Sequence, residues 1–219
     1  MSIRDDIANY TPYNKQEARD KELILHEMET NPLVFSRESE RAHITASAWV
    51  VNRSRSKVLM AYHNIYNSWS WLGGHADGEQ DLLSVALREV SEESGLACLE
   101  PVKMEIFSIE VLAVNGHIKR GEYVSSHLHL NVTYLIEADE SETLTVKDGE
   151  VDGGRFAHIY FIDWDHVLAR HRQVNITVMG TTEDVGDRKW NNGEVIDTRP
   201  KFTDEEKAYD IHYDLQQKR

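Results

Sequence analysis

Two stretches in the middle of the chain alternate between apolar and more polar residues. The first begins at His43, and the second runs from His127 to Ile136. A period of two places successive side chains on opposite faces of a β-strand, so both stretches are predicted strands. Shorter apolar runs at 58–62, 106–114 and 155–161 predict three more. The apolar faces contain Ile44, Ala46, Ala48 and Val50 in the first strand and Leu128, Leu130, Val132 and Tyr134 in the second, and the opposite faces contain Thr45, Ser47, Trp49, His127, His129, Asn131 and Thr133.

Other segments have the spacing of amphipathic helices. Asn14 and Glu17 are spaced as a capping box before the first helix, which should end at Asn31-Pro32. The second helix is predicted over 81–94, because Gly95 stands where a left-handed C-cap belongs. A glycine-rich loop at 73–78 precedes it, and a hairpin connection is expected at 115–121. The core-facing positions of the second helix are Leu82, Leu83, Ala86, Leu87 and Val90.

These elements suggest three parts. Residues 1–42 are predicted to form a helical arm, 43–172 the central domain, and 173–219 a C-terminal extension that packs on it. Short helices are expected at 163–169 and near the C-terminus, where Thr203 and Glu206 have capping-box spacing. Strands with one central helix inserted between them favour a mixed α/β (α+β) fold rather than an all-β or all-α protein.

Composition narrows the function classes. The 24 basic and 38 acidic residues give a net charge of −14, which repels long nucleic acids. No apolar run approaches the length needed to span a bilayer, so we expect no membrane role. The first residues do not have the pattern of a secretory signal, and a single cysteine, Cys98, excludes an intramolecular disulfide. A cytoplasmic location is therefore expected.

The second helix contains a cluster of carboxylates. Glu89, Glu92 and Glu93 stand at positions i, i+3 and i+4, and therefore share one face of the helix. Three carboxylates on one patch repel one another unless cations lie between them, and oxygen ligands suit Mg²⁺ or Mn²⁺. A solvated acidic helix face is the alternative. The preceding glycines favour a ligand site, because they let backbone groups approach a phosphate near the helix N-terminus.

In this segment the chain resembles the Nudix family, whose signature is G-x5-E-x7-R-E-U-x-E-E-x-G-U, with U an aliphatic residue. One position departs from the signature, because Gln80 stands where the first glutamate belongs; its neighbour Glu79 takes that place only if the loop shifts by one residue. The resemblance covers about residues 43–165, where the flanking strands are similar to those of a bacterial subgroup. It implies an α/β/α sandwich with a mixed sheet. The matching residues are Gly74, Arg88, Glu89, Val90, Glu92, Glu93, Gly95 and Leu96.

The resemblance also implies roles at the catalytic centre. Glu89 and Glu93 would be metal ligands, and Glu92 a third ligand or the group that deprotonates the attacking water. Arg88 would hold a helix carboxylate through a charge-assisted hydrogen bond. The Gly73 carbonyl is an expected additional ligand. Glu150, flanked by glycines in a later loop, is the candidate for a mobile catalytic carboxylate, with a solvated loop residue as the alternative.

A second group of residues is expected to bind substrate. Gly74 and His75 lie in the predicted glycine-rich loop, and His127 and His129 share one strand face. Neutral histidines bind phosphate or metal ions. The alternative for His127 and His129 is an ordinary polar strand face.

The resemblance implies a hydrolase that depends on Mg²⁺ or Mn²⁺ and cleaves the diphosphate linkage of a nucleoside diphosphate joined to another moiety, of the ADP-sugar or dinucleotide type. Its partner would be a small phosphorylated substrate, and many relatives form homodimers. One alternative is an enzyme similar to isopentenyl-diphosphate isomerase, although that isomerase's catalytic cysteine has no counterpart before the helix. The other is a ligand-binding regulator without catalysis.

Overall fold

The structure, a computed structural model, describes residues 2–63, 68–119, 121–145 and 156–163. These ranges contain three helices and ten strands. The helices are α1 (Ile3–Asn9), α2 (Lys15–Thr30) and α3 (Leu82–Ser94), and the strands are β1 (Ala42–Asn52), β2 (Lys57–His63), β3 (Ser68–Ser70), β4 (Leu72–His75), β5 (Leu99–Pro101), β6 (Ser108–Val114), β7 (His117–Lys119), β8 (Glu122–Val124), β9 (His127–Ala138) and β10 (Phe156–Asp163).

Eight of the strands form one mixed sheet. Its main order is β10-β2-β1-β9-β5, with β3 paired to β2, β4 paired to β1 and β6 paired to β9. The two longest strands, β1 and β9, run parallel, whereas the other pairs in this sheet are antiparallel. A large mixed sheet with few helices confirms the predicted α+β class.

Strand β1 lies at the centre of this sheet, and all of its residues are buried. Its apolar side, from Ile44 to Val50, packs in one core with apolar residues of β9 and of all three helices. Its other side contains Thr45 and Ser47, which are buried as well. The alternation therefore identified the two faces correctly, but it does not separate a solvated face from a buried one.

Five short strands correct the sequence-based expectations. Gly73, Gly74 and His75 belong to β4 and not to a loop, because they pair with β1 in the register Ser47↔Gly73 and Thr45↔His75. The expected hairpin connection at 115–121 contains β7, which pairs with β8 as a separate two-stranded sheet. Strands β3 and β5 were not expected at all. Segments of three or four residues are too short to show a period, so only their pairing partners reveal them.

The N-terminal arm closes one side of β6. Asn14 caps α2 by accepting a hydrogen bond from the Glu17 amide (2.9 Å), as its spacing predicted. The Glu17 carboxylate also accepts from the Tyr10 hydroxyl (2.9 Å), and Asp20 accepts from the Val111 amide of β6 (3.1 Å). Carboxylates that accept from the backbone of a strand satisfy the amides that an open sheet edge leaves unpaired.

Several predicted elements lie outside the described residues. These are the greater part of the short helix at 163–169, the capped C-terminal helix and the extension at 173–219. The division into an arm, a central domain and an extension therefore stays a prediction. In the described ranges, no helix has the length and apolar character needed to cross a membrane.

A buried polar network lies on the face of the sheet that contains Thr45 and Ser47. Both hydroxyls donate to Oδ1 of Asn131, at 2.9 and 2.7 Å, and the Asn131 amide nitrogen donates to Oε1 of Glu110 (2.7 Å). Thr133 also donates to Glu110 (3.2 Å). Burial raises the pKa of Glu110 to about 7, and the nearby Glu17 and Asp20 contribute in the same direction.

We expect Glu110 to make stability dependent on pH. The folded protein holds the Glu110 proton more tightly than the unfolded chain, whose pKa is near 4.5. The free energy of unfolding should therefore fall as pH rises from about 4.5 to about 7, by roughly 3 kcal/mol for this group. Glu110→Gln keeps the acceptor oxygen and should remove that part of the decrease in urea denaturation at pH 5 and pH 8. Glu105→Gln, at an exposed site, is the control; equal pH dependence in wild type and Glu110→Gln would contradict the prediction.

Candidate active site

The position of the three glutamates is set by the local structure of α3. The helix begins after Asp81, whose side chain accepts from the Ser84 amide, and ends at Gly95, which has the left-handed backbone expected of it (φ 76°). The side of the helix that packs into the core contains Leu82, Leu83, Val85, Ala86 and Val90. The three glutamates differ in their exposure to solvent. Glu92 is exposed, Glu89 is half-buried and Glu93 is buried, with 9% of its surface exposed.

Glu89 lies directly against the end of β4. A Cβ atom at Gly74 would overlap the Glu89 carboxylate, so only glycine leaves room for the carboxylate in this position. Arg88 approaches the same carboxylate from its own helix, with 3.4 Å between its Nη2 and Oε1 of Glu89. The predicted role of Arg88, to orient a helix carboxylate, fits this distance. The role itself stays a prediction.

Two acidic residues, Asp77 and Glu79, anchor the loop between β4 and α3. Gln80 is exposed. Glu79 accepts from the amides of Gln80 (2.7 Å) and Asp81 (2.9 Å), so its carboxylate is engaged at the start of the helix. Asp77, which has a positive φ of 49°, accepts two hydrogen bonds from the Arg37 guanidinium. These bonds hold the pKa of Asp77 below its ordinary value.

Arg37 was missed by the sequence reasoning. It lies 40 positions before Asp77 and belongs to no motif, so no sequence signal joins the two residues. A second contact fixes the same loop, because the Gly78 amide donates to the Phe35 carbonyl (2.8 Å). The segment at 35–37 therefore supports the loop that connects β4 to the glutamate helix.

Four histidines meet where β1, β4 and β9 lie side by side. We call His43, His75, His127 and His129 the four-histidine cluster. The ring centroid of His43 lies 5.0 Å from the ring centroid of each of the other three histidines. One nitrogen each of His43, His75 and His129 lie within 4.8 Å of one another. His75, His127 and His129 were predicted site residues, and the structure brings them together.

His43 is the member of the cluster that the sequence reasoning missed. It is the first polar residue of the alternating β1 stretch, and the parallel register pairs it with His129. It is buried, which lowers its pKa, and its Nδ1 is 2.9 Å from the Ser39 carbonyl oxygen. Only the pairing of β1 with β9 shows that this histidine belongs with the others.

The carboxylate group on α3 suits a hard divalent cation. Its donors are the oxygens of Glu89, Glu92 and Glu93, and the Glu89 carboxylate occupies the place that a side chain at position 74 would fill. Oxygen donors of this kind favour Mg²⁺ or Mn²⁺. The donor set therefore fits the ions that the signature implies. The predicted catalytic residue Glu150 lies outside the described residues.

Comparison with known proteins identifies one family and several similar folds. A family model described as NUDIX domain matches residues 41–179. Among solved structures, an Ap4A hydrolase of C. elegans is 12% identical and has a TM-score of 0.41, over 65% of this chain and 93% of that one. The E. coli dihydroneopterin triphosphate pyrophosphohydrolase is 12% identical with a TM-score of 0.40, over 66% and 92%.

The Nudix hydrolase RenU of M. Smegmatis is 14% identical with a TM-score of 0.39, over 57% of this chain and 73% of that one. No curated protein matches the chain. At these low identities and TM-scores, the family assignment rests on the match to the family model.

The two adjacent glycines should respond differently to the same substitution. A Cβ at Gly73 would meet the Ala46 carbonyl oxygen at 2.6 Å and the backbone of Ser47 at 2.7 Å, which cannot move without separating β1 from β4. At Gly74 it would meet only the end of the flexible Glu89 side chain. We expect Gly73→Ala to lower the free energy of unfolding by about 1–3 kcal/mol, and Gly74→Ala by less. Urea denaturation of both variants tests this; equal losses would contradict the packing described.

Proposed function

The chain belongs to the Nudix family, and from that premise we propose that it is a divalent-metal-dependent hydrolase that cleaves the diphosphate linkage of a nucleoside diphosphate joined to another moiety, of the ADP-sugar or dinucleotide type. One observation carries the proposal. Glu89, Glu92 and Glu93 share the helix that follows β4, and the Glu89 carboxylate lies against Gly74 at the end of that strand. We further propose that the protein acts in the cytoplasm and assembles as a homodimer.

Each residue of this group has a proposed task. Glu89 and Glu93 would hold Mg²⁺ or Mn²⁺, together with the Gly73 carbonyl. Such an ion, when bound, neutralises diphosphate oxygens and lowers the pKa of a coordinated water. Glu92 is the exposed member, so it is accessible either as a third ligand or as the base that takes a proton from the attacking water. Glu150 remains the candidate for a second catalytic carboxylate.

Arg88 is proposed as a positioning residue. Its guanidinium stands 3.4 Å from Oε1 of Glu89 and is itself partly exposed. A positive charge beside one of three clustered carboxylates offsets part of their mutual repulsion, and it restricts the rotamers of Glu89. Gly74, which has no side chain, would let substrate oxygens approach beside Glu89. His75, His127 and His129, the other predicted substrate-binding residues, lie together on the opposite face of the sheet, so the proposal does not place them beside the glutamates.

The isomerase alternative gains no support from the described residues. Cys98 is exposed and follows α3, whereas the isomerase cysteine is expected before this helix. The regulator alternative differs from the proposal in one measurable respect, because a regulator would bind metal or nucleotide without turnover.

Glu93→Gln should abolish turnover while the fold is retained. The substitution keeps the shape of a buried side chain but removes the charge that a metal ligand needs. We expect kcat/KM to fall by about 100-fold or more. The assay uses Mg²⁺ or Mn²⁺ and a panel of ADP-ribose, other nucleotide sugars, dinucleoside polyphosphates, nucleoside triphosphates and isopentenyl diphosphate. Circular dichroism checks the fold.

The control for this assay is Glu122→Gln, at an exposed site on β8. Wild type and this control should cleave one substrate class, which would name the substrate. A fully active Glu93→Gln protein would overturn the ligand assignment. Tight metal binding without cleavage of any compound in the panel would favour the regulator.

The departure at Gln80 should have little effect on activity. Its side chain is exposed, and the loop is held by the Arg37–Asp77 pair and by Glu79 at the helix start. We therefore expect Gln80→Glu to leave kcat/KM nearly unchanged and Asp77→Asn to lower it, because the latter weakens a charge-assisted hydrogen bond that fixes the loop. Steady-state kinetics on the substrate found above compare the two. A large gain in Gln80→Glu would show that the signature glutamate is needed after all.

A further inference from the structure

We propose that the four-histidine cluster binds one divalent transition-metal ion of the Zn²⁺ type, at a site separate from the glutamates of α3. The signature glutamates do not account for this cluster. It contains a buried imidazole nitrogen, Nε2 of His43, that has no hydrogen-bond partner among the described residues. A buried polar atom without a partner is costly, and a bound ion would satisfy it.

The hydrogen bonds of the cluster fix the tautomers of two of its rings. Nδ1 of His43 lies 2.9 Å from the Ser39 carbonyl oxygen, and Nδ1 of His127 lies 2.8 Å from that of Ser125. A carbonyl oxygen only accepts, so in the neutral rings both Nδ1 atoms are protonated donors. Each Nε2 then carries a lone pair, and that of His127 lies 3.2 Å from Nε2 of His129. Histidine ligands of metal ions commonly donate their second ring nitrogen to a backbone carbonyl in this way.

The spacing of the nitrogens fits a single ion. Two imidazole nitrogens bound to one tetrahedral zinc ion lie about 3.3–3.4 Å apart, as Zn–N distances of about 2.0–2.1 Å require. The Nε2 atoms of His127 and His129 are 3.2 Å apart. The three nitrogens of His43, His75 and His129 lie within 4.8 Å of one another, and His127 adjoins this group through its contact with His129.

The same tautomers argue against a phosphate as the occupant. Phosphate oxygens need donors, whereas Nε2 of neutral His43 and of neutral His127 are acceptors. Imidazole nitrogens prefer first-row transition ions, whereas Mg²⁺ prefers oxygen. The cluster and the glutamates therefore select different cations.

Strand β4 separates the two sites. Gly74 faces α3 and the Glu89 carboxylate, and the next residue, His75, faces the other side of the sheet with the remaining histidines. An ion in the cluster would connect β1, β4 and β9 on one face of the sheet, near the starts of β1 and β9. It should therefore stabilise the fold as well as place a positive charge behind the glutamate site.

The test measures metal binding without turnover. Chelator-treated full-length protein that carries Glu89→Gln and Glu93→Gln is titrated with Zn²⁺ by calorimetry, and its thermal unfolding is followed with and without Zn²⁺. We expect one Zn²⁺ ion per chain and a higher Tm. His127→Gln and His43→Gln, each added to this protein, should weaken Zn²⁺ binding at least about 100-fold. Substitution of a residue that only hydrogen-bonds a metal ligand costs about 100-fold at most.

The matched control is His26→Gln, because His26 is an exposed histidine on α2; it should bind Zn²⁺ like its parent. Circular dichroism without metal checks that the variants fold. X-ray absorption of the Zn²⁺-loaded protein needs no substitution and should show a nitrogen shell with imidazole scattering. A shell of oxygen alone, or unchanged affinity in His127→Gln, would overturn the proposal.

A third measurement addresses the competing occupant. Metal-free protein is titrated with inorganic phosphate, and we expect no binding that depends on His127. Phosphate binding that His127→Gln abolishes, in a protein that binds no Zn²⁺, would overturn the metal site and favour an anion site. None of these measurements depends on hydrolysis. Failure of the metal site is therefore distinguishable from failure of the proposed hydrolase activity.

Discussion

The pairing of β1 with its neighbours is the constraint on which the rest of the structure depends. β1 pairs with β9 in parallel over eleven residues and with β4 in antiparallel over four. In a β-sheet, a shift of one residue moves every side chain to the opposite face. Such a shift would take His43 away from His129 and Thr45 away from Asn131. One register therefore places the four-histidine cluster, the polar network and the apolar core together.

The face of the sheet opposite α3 is unusual because it is buried and polar. Buried hydroxyl and amide groups are costly unless they are hydrogen-bonded. Asn131 meets this requirement for two strands, since it accepts from Thr45 and Ser47 of β1 and donates to Glu110 of β6. The network fixes the positions of these strands close to the histidines. Apolar packing on the other face supplies the bulk of the core.

Three consecutive residues of β4 meet three different demands. Gly73 has no room for a side chain beside the backbone of β1, and Gly74 has none beside the Glu89 carboxylate. His75 then reaches the rings of His43 and His129. Because strand side chains alternate, neighbouring residues on this short strand serve opposite faces of the sheet. This alternation explains how one tetrapeptide strand contributes to two separate groups of polar residues.

The sequence by itself determined the elements whose physical cause is local. Helix α3, its cap at Asp81 and its end at Gly95 follow from nearby residues, as do the two faces of β1 and β9 and the glutamate spacing that gave the first resemblance to the family. Tertiary structure alone decided the rest. The strand character of Gly73–His75, the pairing of Arg37 with Asp77 and the inclusion of His43 among the histidines depend on contacts between residues more than 20 positions apart. Periodicity reports which face a side chain takes, but it does not report which strand will lie beside it.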